Sequence, residues 1–131
     1  MVSIAEKIIS MEKAALDRWG KGDPDGFLEI CAPDVVYFDP YLELRVDGKN
    51  ALTAYYETIR GKVHFDRFDL LNPHVHLSTK FTLLTFNYIS YTGDQASRWN
   101  STEAYRLEKN GSWRIIQSHW SYTNVFKYHK G

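Results

Sequence analysis

The sequence is short of several things, and each shortage closes off a class of function. Its 131 residues include a single cysteine, Cys31. No internal disulfide and no thiolate zinc cluster can form, which suits a reducing, cytoplasmic setting. Cys31 reads as a small apolar residue closing a helix. There is no surplus charge: sixteen Lys and Arg balance sixteen Asp and Glu. The chain therefore has no field with which to gather nucleic acid or an anionic membrane surface. No apolar run is long enough to span a bilayer, and the N-terminus MVSIAEKIIS lacks the basic-then-apolar order of a secretory leader. A glycine-rich phosphate loop, a nucleophile elbow and a Ser-His-Asp spacing are all missing. Nucleotide binding and nucleophilic catalysis are poor fits, and no cofactor is called for.

Aromatic side chains are what the sequence has in quantity: 15% of all residues, with nine Tyr and four Trp. That exceeds what the packing of one core needs and points to a lined cavity or an interface.

The length suits one domain over residues 1–131. Ile4, Ile8, Met11, Ala15 and Trp19 recur in steps of three and four, which predicts a helix from Ser3 to Trp19. Gly20 and Gly22 end it. Asp23 and Pro24 supply a cap and a first-turn proline for a short second helix through about Cys31. DVVYFDP reads as a strand, YLELRV as its hairpin partner, and Asp47-Gly48 as the turn into a third helix from Lys49 to about Arg60. Beyond Gly61 the chain reads as four long strands in a meander, over 65–78, 80–92, 97–109 and 112–126. Helices followed by a long antiparallel sheet make an α+β arrangement with the helices on one sheet face, and a strongly curved sheet around a helix leaves a hollow for a ligand.

Strand alternation sorts residues between the two faces. Ser97, Trp99, Ser101, Glu103, Tyr105 and Leu107 form the inner set of one strand, which places an acid among large apolar groups. An unpaired ionised acid there is costly, so Glu103 is expected to be protonated or paired, with Arg114 on the neighbouring strand as the available partner. Arg114, Ile116, Ser118, Trp120 and Tyr122 form one set of the last strand, and Trp113, Ile115, Gln117, His119 and Ser121 the other. Large apolar residues in both sets imply that the outer sheet face is covered too, most simply by a second copy of the chain. Asp39, at the end of the apolar run Val35 to Phe38 and before Pro40, reads either as a turn cap or as a pocket carboxylate. His74 and His76 share a strand face, and with His119 they invite a metal reading, but a pair plus one distant residue is not a converging ligand set; no metal is assigned.

The order of elements and several strings resemble the nuclear-transport-factor-2-like superfamily over nearly the whole chain. DVVYFDPYLELRVDGKNALTAYY is similar to the strand, loop and helix of ketosteroid isomerases and SnoaL-like cyclases. LLNPHVHL and GSWRIIQSHWS are more similar to the association (hub) domain of calcium/calmodulin-dependent protein kinases and its free-standing relatives. The resemblance implies a cystatin-like cone: three N-terminal helices packed in a strongly curved antiparallel sheet of four long strands plus a short hairpin. The isomerase pattern implies Asp39 as proton-shuttling base and Glu103 as a protonated acid at an oxyanion site. It also implies a pocket walled by Tyr56 and Trp120, to which the inner strand faces add Phe86, Tyr88, Trp99 and Ser118, with Ser90 and Ser101 nearby. Two positions depart. Ala15 stands where the isomerase pattern has a tyrosine donor, and Asn87 where the hub pocket has an arginine, which speaks against steroid isomerisation and against a hub-type carboxylate ligand. The expected activity is therefore binding of a small, partly apolar organic molecule by a homo-oligomer, at least a dimer through the outer sheet face. The alternatives are a cofactor-independent isomerase or cyclase with Asp39 as general base beside a carbonyl, and a purely oligomerising hub-like module.

Overall fold

The computed structural model describes residues 1–123. Helix α1 spans Ile4–Trp19, capped by Ser3, whose hydroxyl accepts the Glu6 N–H at 3.1 Å. Helix α2 is one turn, Asp25–Leu28, and α3 spans Lys49–Glu57. The strands are β1 Cys31–Phe38, β2 Val46–Asp47, β3 Arg67–Leu77, β4 Phe81–Thr92, β5 Gln95–Leu107 and β6 Trp113–Tyr122. They form one six-stranded sheet in the order β2-β1-β6-β5-β4-β3, antiparallel except where β1 lies parallel to β6. This is the α+β cone expected from the sequence, with the helices inside the curve of the sheet.

Several boundaries move, each for a local reason. The second helix stops at Leu28, and Cys31 opens β1 instead of closing a helix; its thiol is buried. Pro33 and Asp34 sit in a register shift of β1 against β6, because proline has no N–H to give a ladder. YLELRV is mostly loop: only Val46 and Asp47 pair with β1, and Leu44 is exposed. The third helix ends at Glu57. The last strand reaches Tyr122, and the remainder of the expected 112–126 segment beyond Thr123 lies outside the described residues.

Two bulges redirect side chains. Asn72, at φ 52°, and Pro73 interrupt the pairing of β3 with β4, and this places the His74 and His76 rings side by side at 4.3 Å on an exposed surface. In β6, Gln117 pairs with Ala104 and Ile115 with Tyr105, so Ile116 is an extra residue. The alternation therefore inverts at that point. Trp113 and Ile115 join Ser118 and Trp120 on the buried side, and Arg114 turns outward to donate to the Trp113 carbonyl at 2.9 Å. The expected Arg114–Glu103 pair does not form. On α1 the buried face is Ile8, Glu12, Ala15 and Leu16, while Ile4 is exposed. Glu12 was not among the residues that marked this helix in the sequence.

One backbone contact sets the mouth of the cone. Gly22, at φ +81°, accepts the Gly61 N–H at 2.9 Å, and a Cβ on Gly22 would stand 2.9 Å from the Gly61 Cα. This contact seats the 59–65 segment after α3. Gly22→Ala should therefore cost about 1–3 kcal/mol, because a left-handed backbone and a backbone clash act together; a melting curve reads it, and an unchanged midpoint would show the contact to be dispensable.

Candidate functional site

The hollow is a cavity of about 610 Å³ opening at one end of the cone. Its floor carries Leu16, Phe27, Tyr56 and Trp120, and one wall is the β4–β5 pair Tyr88 and Trp99, whose rings stack at 5.8 Å and 16°. These two residues are register partners across the strands, so the stack follows from sheet pairing. Tyr122, Tyr41 and Tyr55 close the opposite side, and Val63 and Phe65 of the segment seated by Gly22 rim the mouth. The rings interlock edge to face: Trp19 on Tyr56, Tyr37 on Tyr56, Phe27 on Trp120.

Asp39 lines this cavity. Strand β1 ends one residue before it, and alternation puts Val35, Tyr37 and Asp39 on one side. Its Oδ2 accepts the phenol hydroxyls of Tyr37 at 2.9 Å and Tyr55 at 2.6 Å, and its Oδ1 accepts the Tyr41 amide at 2.8 Å. The turn-cap role and the pocket role considered from the sequence are thus filled by the same carboxylate: one oxygen caps the Pro40–Tyr41 turn, the other faces the tyrosines. Burial foremost, then the neighbouring charges and hydroxyls including Asp39, pushes the Tyr37 and Tyr55 phenols up in pKa, so they stay protonated as donors.

Of the other residues singled out from the sequence, Tyr56, Tyr88, Trp99 and Trp120 line the same cavity as Asp39, and Glu103, Ser118 and Phe86 do not. Phe86 is buried behind Trp120, edge-on at 5.8 Å. Ser118 lies under it, accepting the Trp120 indole N–H at 2.8 Å and donating to Glu103 Oε1. Glu103 is fully buried, and the acid beside it is Glu12 of α1, not Asp39. Glu12 Oε1 accepts the Tyr105 hydroxyl at 2.7 Å. The oxygens left without a donor are Oε2 of Glu12 and Oε2 of Glu103, and one proton between the two carboxyls satisfies both. Burial drives Glu12 up to about 7, against the lowering bonds from Tyr105 and Glu103. Burial and the Glu12 charge push Glu103 well above the carboxylate range. Glu103 is accordingly the neutral donor and Glu12 the acceptor. His119 packs on Phe38 at 5.0 Å, away from the His74–His76 pair, and among the described residues no three potential metal ligands converge.

Sequence reasoning missed Glu12, Tyr37, Tyr55 and Tyr41. The period of two from Val35 was the available signal for Tyr37; for Glu12 it was its place four residues after Ile8 and three before Ala15, on the apolar face of α1.

The acid pair has a pH signature. Unfolded, both carboxyls ionise near their ordinary values; folded, Glu103 keeps its proton, so the native state binds more protons and stability falls as pH rises above about 4.5. In Glu103→Gln the amide can still donate to Glu12 and accept from Ser118, while one titration disappears. The variant should gain on wild type by up to about 1.4 kcal/mol per pH unit through the window above pH 4.5. Denaturant midpoints at pH 5 and pH 8 measure this, and parallel curves would mean that Glu103 is ionised in the fold.

Comparison with known proteins agrees with this fold. The model of the SnoaL-like domain matches residues 13–116. A crystal structure from Parabacteroides distasonis, of a protein provisionally assigned as a ketosteroid isomerase, superposes with a TM-score of 0.87 at 41% identity, covering 94% of this chain and 90% of that one. The hub of the calcium/calmodulin-dependent kinase II of S. rosetta shares the fold at 15% identity, with a TM-score of 0.76 over 94% of this chain and 99% of that one. The type II alpha chain of that kinase from Drosophila melanogaster is 27% identical over 124 residues, covering 88% of this chain, which spans only 23% of that relative's length. With the family's model matched over most of its length and the cone closed around an aromatic hollow, the chain belongs to the SnoaL-like domain family of the nuclear-transport-factor-2-like fold.

Proposed function

We propose that this chain binds a small, partly apolar organic molecule in the aromatic cavity, anchored by Asp39, and that it works as a homo-oligomer, at least a dimer packed through the outer sheet face. The observation that carries the reading is a single half-buried carboxylate, already held by two phenols and an amide, in the wall of a 610 Å³ hollow made otherwise mostly of rings. Such a mixture of apolar surface and few placed polar groups suits a small organic ligand. Oligomer formation is supported by Leu71, Phe81 and Leu83, large apolar residues of the outer face of β3 and β4 that are 37–48% exposed. A small-molecule thermal-shift screen read by tryptophan fluorescence tests the binding; a cavity that no compound occupies or stabilises removes it. Leu83→Asp should convert the assembly to monomer with a stability change within about 0.5 kcal/mol, since the side chain is exposed in the single chain. Light scattering decides, and an unchanged mass moves the interface elsewhere.

A second reading, a cofactor-independent isomerase or cyclase, is favoured by the position of Asp39 as an ionisable base on the cavity wall. Asp39 would take the proton next to a carbonyl. Glu103 would act only at a distance, through Ser118 and the Trp120 indole, because it does not line the cavity. In this reading Asp39→Asn lowers solvent-deuterium exchange into a bound enolisable ketone on the order of 10²-fold; exchange at the wild-type rate removes Asp39 as base. The purely oligomerising, hub-like reading rests on fold likeness alone and leaves the lined cavity without a role.

A further inference from the structure

Asp39 is unlike the acids that the fold pairs or fully buries. Exposed acids such as Asp34, Asp47 and Glu57 are matched by arginines, and the two fully buried acids hold each other. Asp39 is half-buried and is met by two neutral phenols and an amide; among the described residues no cationic side chain stands within ion-pair distance. Its three donors are uncharged.

The rings around it are set at an angle to one another. Tyr41, two residues on, meets Tyr122 at 5.8 Å and 86° and Trp99 at 6.4 Å and 66°, while Trp99 lies 4.2 Å from Tyr122. Tyr122 feels the charge directly: burial first, and then Asp39, holds its phenol above the usual range. Aromatic faces are negative at the centre of the ring. Trp99 is flanked by Tyr88 and Tyr122, so the ring left open beside Asp39 is that of Tyr41, 67% exposed, and an open ring next to a carboxylate with uncharged partners is attractive to one kind of group, a positive charge with an apolar coat. The cavity's own cations do not fill that place. Lys62 and His64 sit on the exposed rim, and His64 is turned to Asp66 at 3.3 Å, 69% exposed, where water and salt screen it.

We infer that the ligand of this cavity is a cationic amine, a protonated or quaternary ammonium on an apolar body, with the ammonium in the corner between Asp39 and the Tyr41 ring and the body among the rings of the cavity. The inference rests on the small-molecule reading above and gives that ligand its charge. It also accounts for Asp39 having phenols as partners: an arginine in their place would neutralise the corner.

The test uses three soluble probes of nearly one size on the whole chain, followed by calorimetry and tryptophan fluorescence: benzylammonium, its uncharged isostere benzyl alcohol, and the anion benzoate. The cation should bind about tenfold or more tightly than the isostere, and benzoate most weakly. Asp39→Asn should bring cation and isostere together by weakening the cation alone. Tyr41→Leu, at an exposed loop position, should weaken the cation about threefold or more and leave the isostere unmoved. Isostere or anion binding as tightly as the cation overturns the charge assignment and leaves the small-molecule reading in place. Failure of all three to bind a folded chain removes the reading beneath it. If Asp39→Asn does not fold, Tyr41→Leu decides, and undiminished affinity for the cation in that variant overturns the inference.

Discussion

Helix α1 is held inside the sheet by a proton. Glu12 projects from the buried face of the helix into a space where an ionised carboxylate alone would be prohibitively costly, and it meets a neutral Glu103 and the Tyr105 hydroxyl coming from β5. A proton on Glu103 lets it donate to Glu12 while Glu12 accepts from Tyr105, whereas two ionised carboxylates would repel in a medium of low dielectric. The pairing fixes the rotation of α1 about its own axis, and therefore which residues of that helix face the cavity. Leu16, one position past Ala15, reaches the floor because Glu12 is turned inward a helical turn earlier.

The same hydrogen-bonded chain runs on toward the ligand space. Glu103 takes the Ser118 hydroxyl, and Ser118 takes the Trp120 indole, whose ring is part of the cavity floor. Core and cavity are thus one polar thread sheathed in aromatic packing, with Phe27, Phe86 and Tyr88 meeting Trp120 edge-on. At the other end of the hollow Asp39 is independent of this thread. Two carboxyl centres serve two ends of the cone, the deep pair dedicated to packing, the shallow one on the cavity wall and, among the described residues, without a cationic partner.

The fold was legible because its signals are periodic. Steps of three and four marked α1, alternation marked the long strands, and both survive into the structure with shifts of a few residues. Candidate residues were legible where they sat on an unbroken strand: Tyr88, Trp99 and Glu103 point inward as alternation requires. They were illegible past a bulge. One extra residue at Ile116 inverts β6, so Trp113 and Ile115 are inside and Arg114 is out, and no property of the string WRIIQS distinguishes that from a straight strand. The partner of Glu103 was misread for a different reason: Glu12 sits on the apolar face of α1, but that this face meets β5 at Glu103 is set only in space.

What the sequence by itself determined is therefore the kind of architecture and the stock of parts: helices before strands, a curved sheet rich in rings, an acid at the end of β1 and another in the middle of β5. Those follow from local periodicity and residue chemistry, which need no partner to be read. Only the tertiary structure decided which acids meet, that Asp39 is met by Tyr37 and Tyr55 and Glu103 by Glu12, because such contacts join segments far apart along the chain and depend on register, bulges and the seating of α1 to within an ångström or so.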